Sequence, residues 1–243
     1  TIMIIDKHET LKIDGTQFTN IHKELLKYFS DNGIDIEISS DLAALKKFLM
    51  AQSKDDYPYA MDTFFDDEEL KNNGSKNSLL IKAMKSFVLY LKKDGTTIAT
   101  YAARQIPIET FIKHVSAPDS SSDIQTVQHL LELKNSWYSS CQWTSKDHRG
   151  KKFGVFLDHL KKNILFDMMN EEGNPVQLNY ALQKQALTEY HTKHLGYEDS
   201  IYFMTYDNGL GGAGTKDDKK YNIAYVFADK WKSKQDETKK LYS

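Results

Sequence analysis

The sequence predicts an α+β protein with strands and helices interleaved around one sheet, and three stretches carry that reading. Ile34-Asp35-Ile36-Glu37-Ile38 alternates apolar and polar residues strictly, the pattern of a strand with one buried face. Residues 87–91 and 97–102 are strand-like runs on either side of Lys92-Lys93-Asp94-Gly95, and an Asp-Gly pair between two such runs is a strong hairpin signal. Residues 137–166 read as a strand, a basic turn and a helix in direct succession.

The third stretch organises the rest. Trp-Tyr-Ser-Ser-Cys-Gln-Trp-Thr at 137–144 is rich in aromatic and hydroxyl residues, which suits a strand. Phe153, Leu157, Leu160 and Ile164 then recur at three- and four-residue steps, one face of a helix. Between them lie Arg149, Gly150, Lys151, Lys152 and Gly154. The first N–H groups of a helix have no internal partner, and the helix dipole adds partial positive charge there, so a helix entered through a tight basic turn is a trap for phosphate. The two glycines allow a ligand to approach the backbone closely.

The hexapeptide Arg149-Gly150-Lys151-Lys152-Phe153-Gly154 resembles the acyl-CoA-binding motif of the GCN5-related N-acetyltransferase (GNAT) family: Gln or Arg, two residues, Gly, one residue, then Gly or Ala. Lys152 departs from it, standing where the family usually has Gly. The flanking order is also similar: strand 34–38, a helix capped by Ser39-Ser40-Asp41 with Leu42, Leu45, Phe48 and Leu49, the hairpin, the 137–144 strand, a strand of alternating Val176, Leu178, Tyr180 and Leu182, a helix at 186–194 closed by Leu195-Gly196-Tyr197, and strands at 201–204 and 221–227. The resemblance implies a three-layer fold, with a mixed, mostly antiparallel central sheet flanked by helices. It covers residues 34–230. Residues 1–33 are then an N-terminal extension, and 231–243 a C-terminal tail. Within the extension, Ile2, Ile4 and Ile5 suggest a short strand, Asp14-Gly15-Thr16 a turn and N-cap, and Phe18, Ile21, Leu25 and Phe29 a helical face. Residues 107–134 depart from the family as a helical insertion, with helices at 108–115 and 124–133.

By the same resemblance, acyl-CoA is the co-substrate, acetyl-CoA or another, and an amine is the acceptor. Trp143 and Thr144 match the strand backbone that pairs with the pantetheine arm, and Arg149, Gly150, Lys151, Lys152, Phe153 and Gly154 match the pyrophosphate turn. The family's general acid is usually a Tyr four residues before the closing Gly. That place holds Thr192, so Tyr190, two residues off, is the candidate. No carboxylate occurs at 137–144 to serve as base. The resulting expectation is an N-acyltransferase, with a GNAT-shaped module that has lost catalysis as the alternative. The acidic, aromatic stretch 52–76 reads either as a solvated loop or as a wall attracting a cationic acceptor.

Composition narrows the classes. The 243 residues are 40% hydrophobic and can bury a substantial core, while a net charge of −2 gives no global pull toward nucleic acid. The single cysteine, Cys141, excludes an intramolecular disulfide and suggests a reducing, cytoplasmic setting. It reads as a small buried residue rather than a nucleophile. No apolar run approaches a membrane span, and 2–5 is too short for a signal sequence. Because the chain opens on Thr1, some leading residues are expected to be missing or processed. Gly209-Leu210-Gly211-Gly212-Ala213-Gly214 spells a dinucleotide-binding pattern but precedes a charged run, not an apolar helix, and reads as a loop. His191 and His194 lack a third ligand in the sequence, so no metal is expected. A homodimer is left open.

Overall fold

The computed structural model of the chain describes residues 3–4, 11–13, 16–18, 23–52, 85–115, 128–168, 173–183, 199–204, 220–238 and 240. Strand β1 (Met3–Ile4) is followed by β2 (Leu11–Ile13) and β3 (Thr16–Phe18), then by helix α1 (Lys23–Asp31), β4 (Ile34–Ser39) and α2 (Leu42–Met50). Next come β5 (Ser86–Lys93), β6 (Thr96–Gln105), α3 (Ile108–Val115), α4 (Gln128–Leu131), β7 (Ser136–Thr144) and α5 (Phe153–Leu165). Strands β8 (Leu178–Gln183), β9 (Asp199–Met204) and β10 (Lys220–Phe227) lead into α6 (Ala228–Thr238).

Eight strands form one sheet in the order β1-β4-β5-β6-β7-β8-β10-β9. Every pairing in it is antiparallel except β7 with β8. The mixed, mostly antiparallel sheet expected from the sequence is therefore present. Its β5–β6 hairpin turns at Asp94 and Gly95, whose φ values of 51° and 78° are those of a type I′ turn.

Alternation along the strands sorts the core onto two faces. One face carries Ile34, Ile36, Ile38, Phe87, Leu89, Tyr101 and Trp137 against Leu25 and Phe29 of α1, the apolar side of α5, and Trp231 of α6. The opposite face is covered in two patches. Leu45 and Leu49 of α2 pack on Val88, Tyr90, Ala102, Cys141 and Trp143. Ile108, Phe111 and Ile112 of α3 and Leu130 of α4 pack on Tyr138, Leu178, Tyr180, Ile223 and Tyr225. Two helical layers thus sandwich the sheet.

The helix α5 is more enclosed than an amphipathic pattern requires. Tyr28 of α1 meets Phe156 with ring centroids 4.5 Å apart, and Trp231 of α6 stands 5.5 Å from His159 and 6.5 Å from Phe166. Asp158, Lys161 and Lys162 are all buried. The Lys161 ammonium lies 2.6 Å from Asp158 and 4.1 Å from the centre of the Tyr101 ring, and Lys162 pairs with the other carboxylate oxygen. Buried cations persist because each has such partners.

Several expectations shift. Phe18 and Thr16 belong to a small hairpin, with Ile13 opposite Thr16, so the first helix starts later than its apolar spacing suggested and Thr16 is not its N-cap. Strand β1 pairs with β4 through Met3 and Ile38, joining the N-terminal stretch to the main sheet. The helix at 108–115 is found as expected. The second helix of that region is described only as Gln128–Leu131, and the expected strand at 176–182 runs over Leu178–Gln183. Residues 228–238 form a helix anchored by Trp231.

Candidate functional site

The site grows from a defect in strand β7. In the β6–β7 register, Thr100 faces Trp143 and Ala102 faces Ser140, so Cys141 and Gln142 stand opposite Tyr101 alone. This is a β-bulge, and Cys141 within it takes a left-handed φ of 58°. The Thr100 hydroxyl donates to the Cys141 carbonyl at 3.0 Å and pins it. The thiol side is buried among Leu45, Leu49 and Trp143, as expected of a small packing residue.

On its other edge, β7 pairs in parallel with β8 only from Ser136–Leu178 to Ser139–Ala181. Past that point β8 continues to pair with β10 as far as Gln183. Among the described residues, 140–144 of β7 have no partner strand on the β8 side, and an edge of that kind offers backbone donors and acceptors to a ligand. Asn179 secures the paired end, its amide donating to the Trp137 carbonyl at 3.0 Å and to the Ser139 hydroxyl at 2.9 Å.

The chain leaves β7 at this open end and enters the basic turn. A short 3-10 turn, Lys146–His148, intervenes, with the Ser145 hydroxyl 2.7 Å from Nδ1 of His148. Arg149 is exposed and its Nε donates to the Thr144 carbonyl at 3.1 Å, folding the guanidinium back over the strand end. Gly150 has φ of 80°, which glycine adopts freely. Lys151 and Lys152 are exposed. Lys152 occupies the N-cap of α5 in the left-handed region, at φ 63°, without a capping side-chain bond. The first hydrogen bond of the helix runs from Phe156 N–H to the Lys152 carbonyl at 3.0 Å. The amides of Phe153, Gly154 and Val155 precede it and are of the kind a helix leaves for an anion. Phe153 itself is buried in the core beneath the turn.

Gly154 has a second use. The Gln142 amide donates to its carbonyl at 3.0 Å, and a Cβ built at Gly154 would lie 2.8 Å from Gln142 Nε2. The small residue admits a side chain that ties the bulged strand to the start of the helix. Nothing in the sequence distinguishes Gln142 from any other strand residue.

Trp143, 5% exposed, packs edge-on against Phe48 of α2 with centroids 5.2 Å apart, and Thr144 is half-buried at the strand end. The strand residues 143–144 and the turn residues 149–154 are joined through the short 3-10 turn and the Arg149–Thr144 hydrogen bond, with Trp143 and Phe153 buried. Tyr190 and Thr192, the acidic stretch 53–76, the glycine-rich 209–214 and His191 and His194 lie outside the described residues. Among the described residues there is no group of three or more His, Cys, Asp or Glu side chains fit to hold a metal. No described helix is long and apolar enough to cross a membrane.

A mostly antiparallel sheet, one parallel pair that parts after its first residues, and a basic turn and helix connecting that pair together make up a GNAT-like fold. Its strand order, with β10 between β8 and β9, completes it. The chain is similar to FeeM, an N-acyl amino acid synthase from uncultured soil microbes, at 8% identity and TM-score 0.49 over 83% of this chain and 94% of that one. It is similar to a ribosomal-protein-alanine N-acetyltransferase from Brucella melitensis at 14% identity and TM-score 0.39, over 78% and 98%. A third likeness is to Naa50 of Arabidopsis thaliana in complex with the bisubstrate analogue CoA-Ac-MVNAL, at 10% identity and TM-score 0.38, over 78% and 97%. No protein-family model and no curated protein sequence matches the chain.

Proposed function

We propose that the chain is an acyl-CoA-dependent N-acyltransferase that moves an acetyl or similar acyl group to an amine by direct attack, with residues 34–230 as the catalytic unit. The observation that carries this reading is the opened edge of β7 leading straight into an uncapped, basic helix start. An acyl-CoA has an amide-bearing arm and a pyrophosphate, and the two features suit those two parts in order. Backbone groups beside Trp143 and Thr144 bind the arm. The Gly150 turn and the amides of Phe153 and Gly154 hold the pyrophosphate, helped by Arg149, Lys151 and Lys152.

Holding a thioester beside an amine supplies much of the acceleration through proximity. The acceptor nitrogen forms a bond to the thioester carbon, the carbon–sulfur bond breaks, and the nitrogen gives up a proton. Backbone N–H groups near the Cys141 bulge stabilise the oxyanion. With no carboxylate between Ser136 and Thr144, the amine enters neutral or loses its proton to a group outside this strand. Tyr190 is the residue proposed to protonate the leaving sulfur. Cys141, packed in the core, has no part as a nucleophile.

Gly154→Glu tests the assignment. Its carboxylate would sit at the positive end of α5, and its Cβ would displace Gln142. Thioester turnover and acetyl-CoA binding are both expected to be lost while the circular dichroism spectrum is kept. Lys152→Ala, which removes one exposed charge, is expected to cost about 1 kcal/mol of binding or less. Equal, full activity in both variants would reject this turn as the cofactor site.

A further inference from the structure

The bulge in β7 decides which way Gln142 points. Trp137 lies on the α5 face of the sheet, in one cluster with Phe156, Leu157 and Leu160. Strict alternation from Trp137 would bring Cys141 and Trp143 to that same face and turn Gln142 toward α2. Instead Cys141 and Trp143 pack with Leu45 and Leu49 on the α2 face, and the Gln142 amide donates to the Gly154 carbonyl of α5 at 3.0 Å. The extra residue re-aims this side chain, as bulges do. Resting on the acyltransferase reading above, we propose that Gln142 is a positioning residue for the acyl donor. It locks the open strand to the helix start, so that the two grip one acyl-CoA in register.

Gln142 stands in the middle of the segment 140–144, which has no β8 partner among the described residues. Side chains stand roughly perpendicular to a sheet, so its amide crosses to α5 and leaves the backbone edge of the strand clear. Gly154 is the second residue of α5, directly after the basic turn. The two residues are 12 positions apart, and their hydrogen bond closes the loop between strand and helix. The surroundings hold this tie in place. The Thr100 hydroxyl donates to the Cys141 carbonyl at 3.0 Å, and Trp143 packs against Phe48 with centroids 5.2 Å apart. Gly154 leaves the amide its room, since a Cβ there would lie 2.8 Å from Gln142 Nε2. Arg149, bonded to the Thr144 carbonyl, braces the same loop from within.

A ligand that spans strand and helix start benefits from their connection. Once the pyrophosphate is held, the arm meets the strand at a high effective concentration, and that benefit depends on a fixed distance between the two parts. Reaction is more demanding still, because a misplacement of about 1 Å can cost on the order of 100-fold in rate. A helix start free to shift would hold a pyrophosphate equally well and misplace the thioester. Positioning by Gln142 therefore has a signature: its loss affects a ligand that crosses the tie and spares one that stops short of it.

The test measures acetyl-CoA binding by calorimetry, and ADP binding by displacement of acetyl-CoA, in the full chain as wild type, Gln142→Met and Gln142→Ala. ADP carries a pyrophosphate without the arm and engages the helix start alone. Methionine keeps the length of glutamine and removes the donor, while alanine removes the side chain. In both variants acetyl-CoA affinity is expected to fall about tenfold, the effect of one well-placed hydrogen bond, with ADP affinity held within about twofold. Retained ADP binding also shows that the helix start is folded. Unchanged acetyl-CoA affinity, equal losses for the two ligands, or ADP that fails to displace acetyl-CoA from wild type would overturn the inference and leave acyl-CoA binding standing. A wild-type chain that binds no acetyl-CoA would instead remove the acyltransferase reading, and the inference with it.

Discussion

Lys152 illustrates how one residue type can conceal a geometric rule. The position before α5 requires φ of 63°, which glycine takes without penalty and lysine does not. Glycine at this place in the motif that the turn resembles therefore has a backbone reason, and the lysine keeps the turn at some conformational cost. Lys152→Gly should stabilise the protein by about 0.5–1 kcal/mol, read from a shift in the urea midpoint at unchanged slope. An unchanged or lower midpoint would mean that the left-handed conformation is not strained. Tyr90 carries a second residue-scale prediction. Burial above all, then the charges of Glu37, Asp41 and Cys141, push its phenol from 10.0 up to about 12. The folded chain thus favours the neutral phenol. That preference contributes stability in full below pH 10.0 and loses it as pH rises toward about 12. Stability curves for Tyr90→Phe should accordingly fall less steeply than wild type across that window; parallel curves would contradict the assignment.

At the scale of elements, periodicity was a reliable guide where a single face decides the structure. The alternation of Ile34, Ile36 and Ile38, the Asp94-Gly95 turn and the apolar face of α5 all appear where local pattern places them. The bulge at Cys141 was not legible, because its cause is the mismatch of two strands far apart in sequence. Nor was the enclosure of α5, where the polar and charged residues Asp158, His159, Lys161 and Lys162 are buried as well as the apolar face. That burial depends on α1 and α6 packing on either side. Phe18 followed the helical spacing of Leu25 and Phe29 yet pairs in a hairpin, since its neighbours satisfy a two-strand ladder instead. The C-terminal helix gave little amphipathic signal, but its Trp231 fills the space between His159 and Phe166. Trp231→Ala should cost about 3–5 kcal/mol by emptying that space, measured by chemical denaturation. A loss below about 1 kcal/mol would show that α6 is not an integral part of this layer.

For the whole molecule, the fold and the site were legible to different degrees. The turn at 149–154 could be found from residue types because its chemistry is local: glycine, positive charge and a helix start. The opening beside it could not, since it exists only where β7 and β8 stop pairing. The proposed function requires the opened strand and the uncapped helix to form one binding surface for acyl-CoA. Isothermal titration of acetyl-CoA into the wild-type chain tests it most directly. Saturable one-to-one binding is expected, with a gain of about 2.7 kcal/mol in folding stability at a ligand concentration 100 times Kd. Absence of heat and of any stability gain at millimolar acetyl-CoA would contradict it.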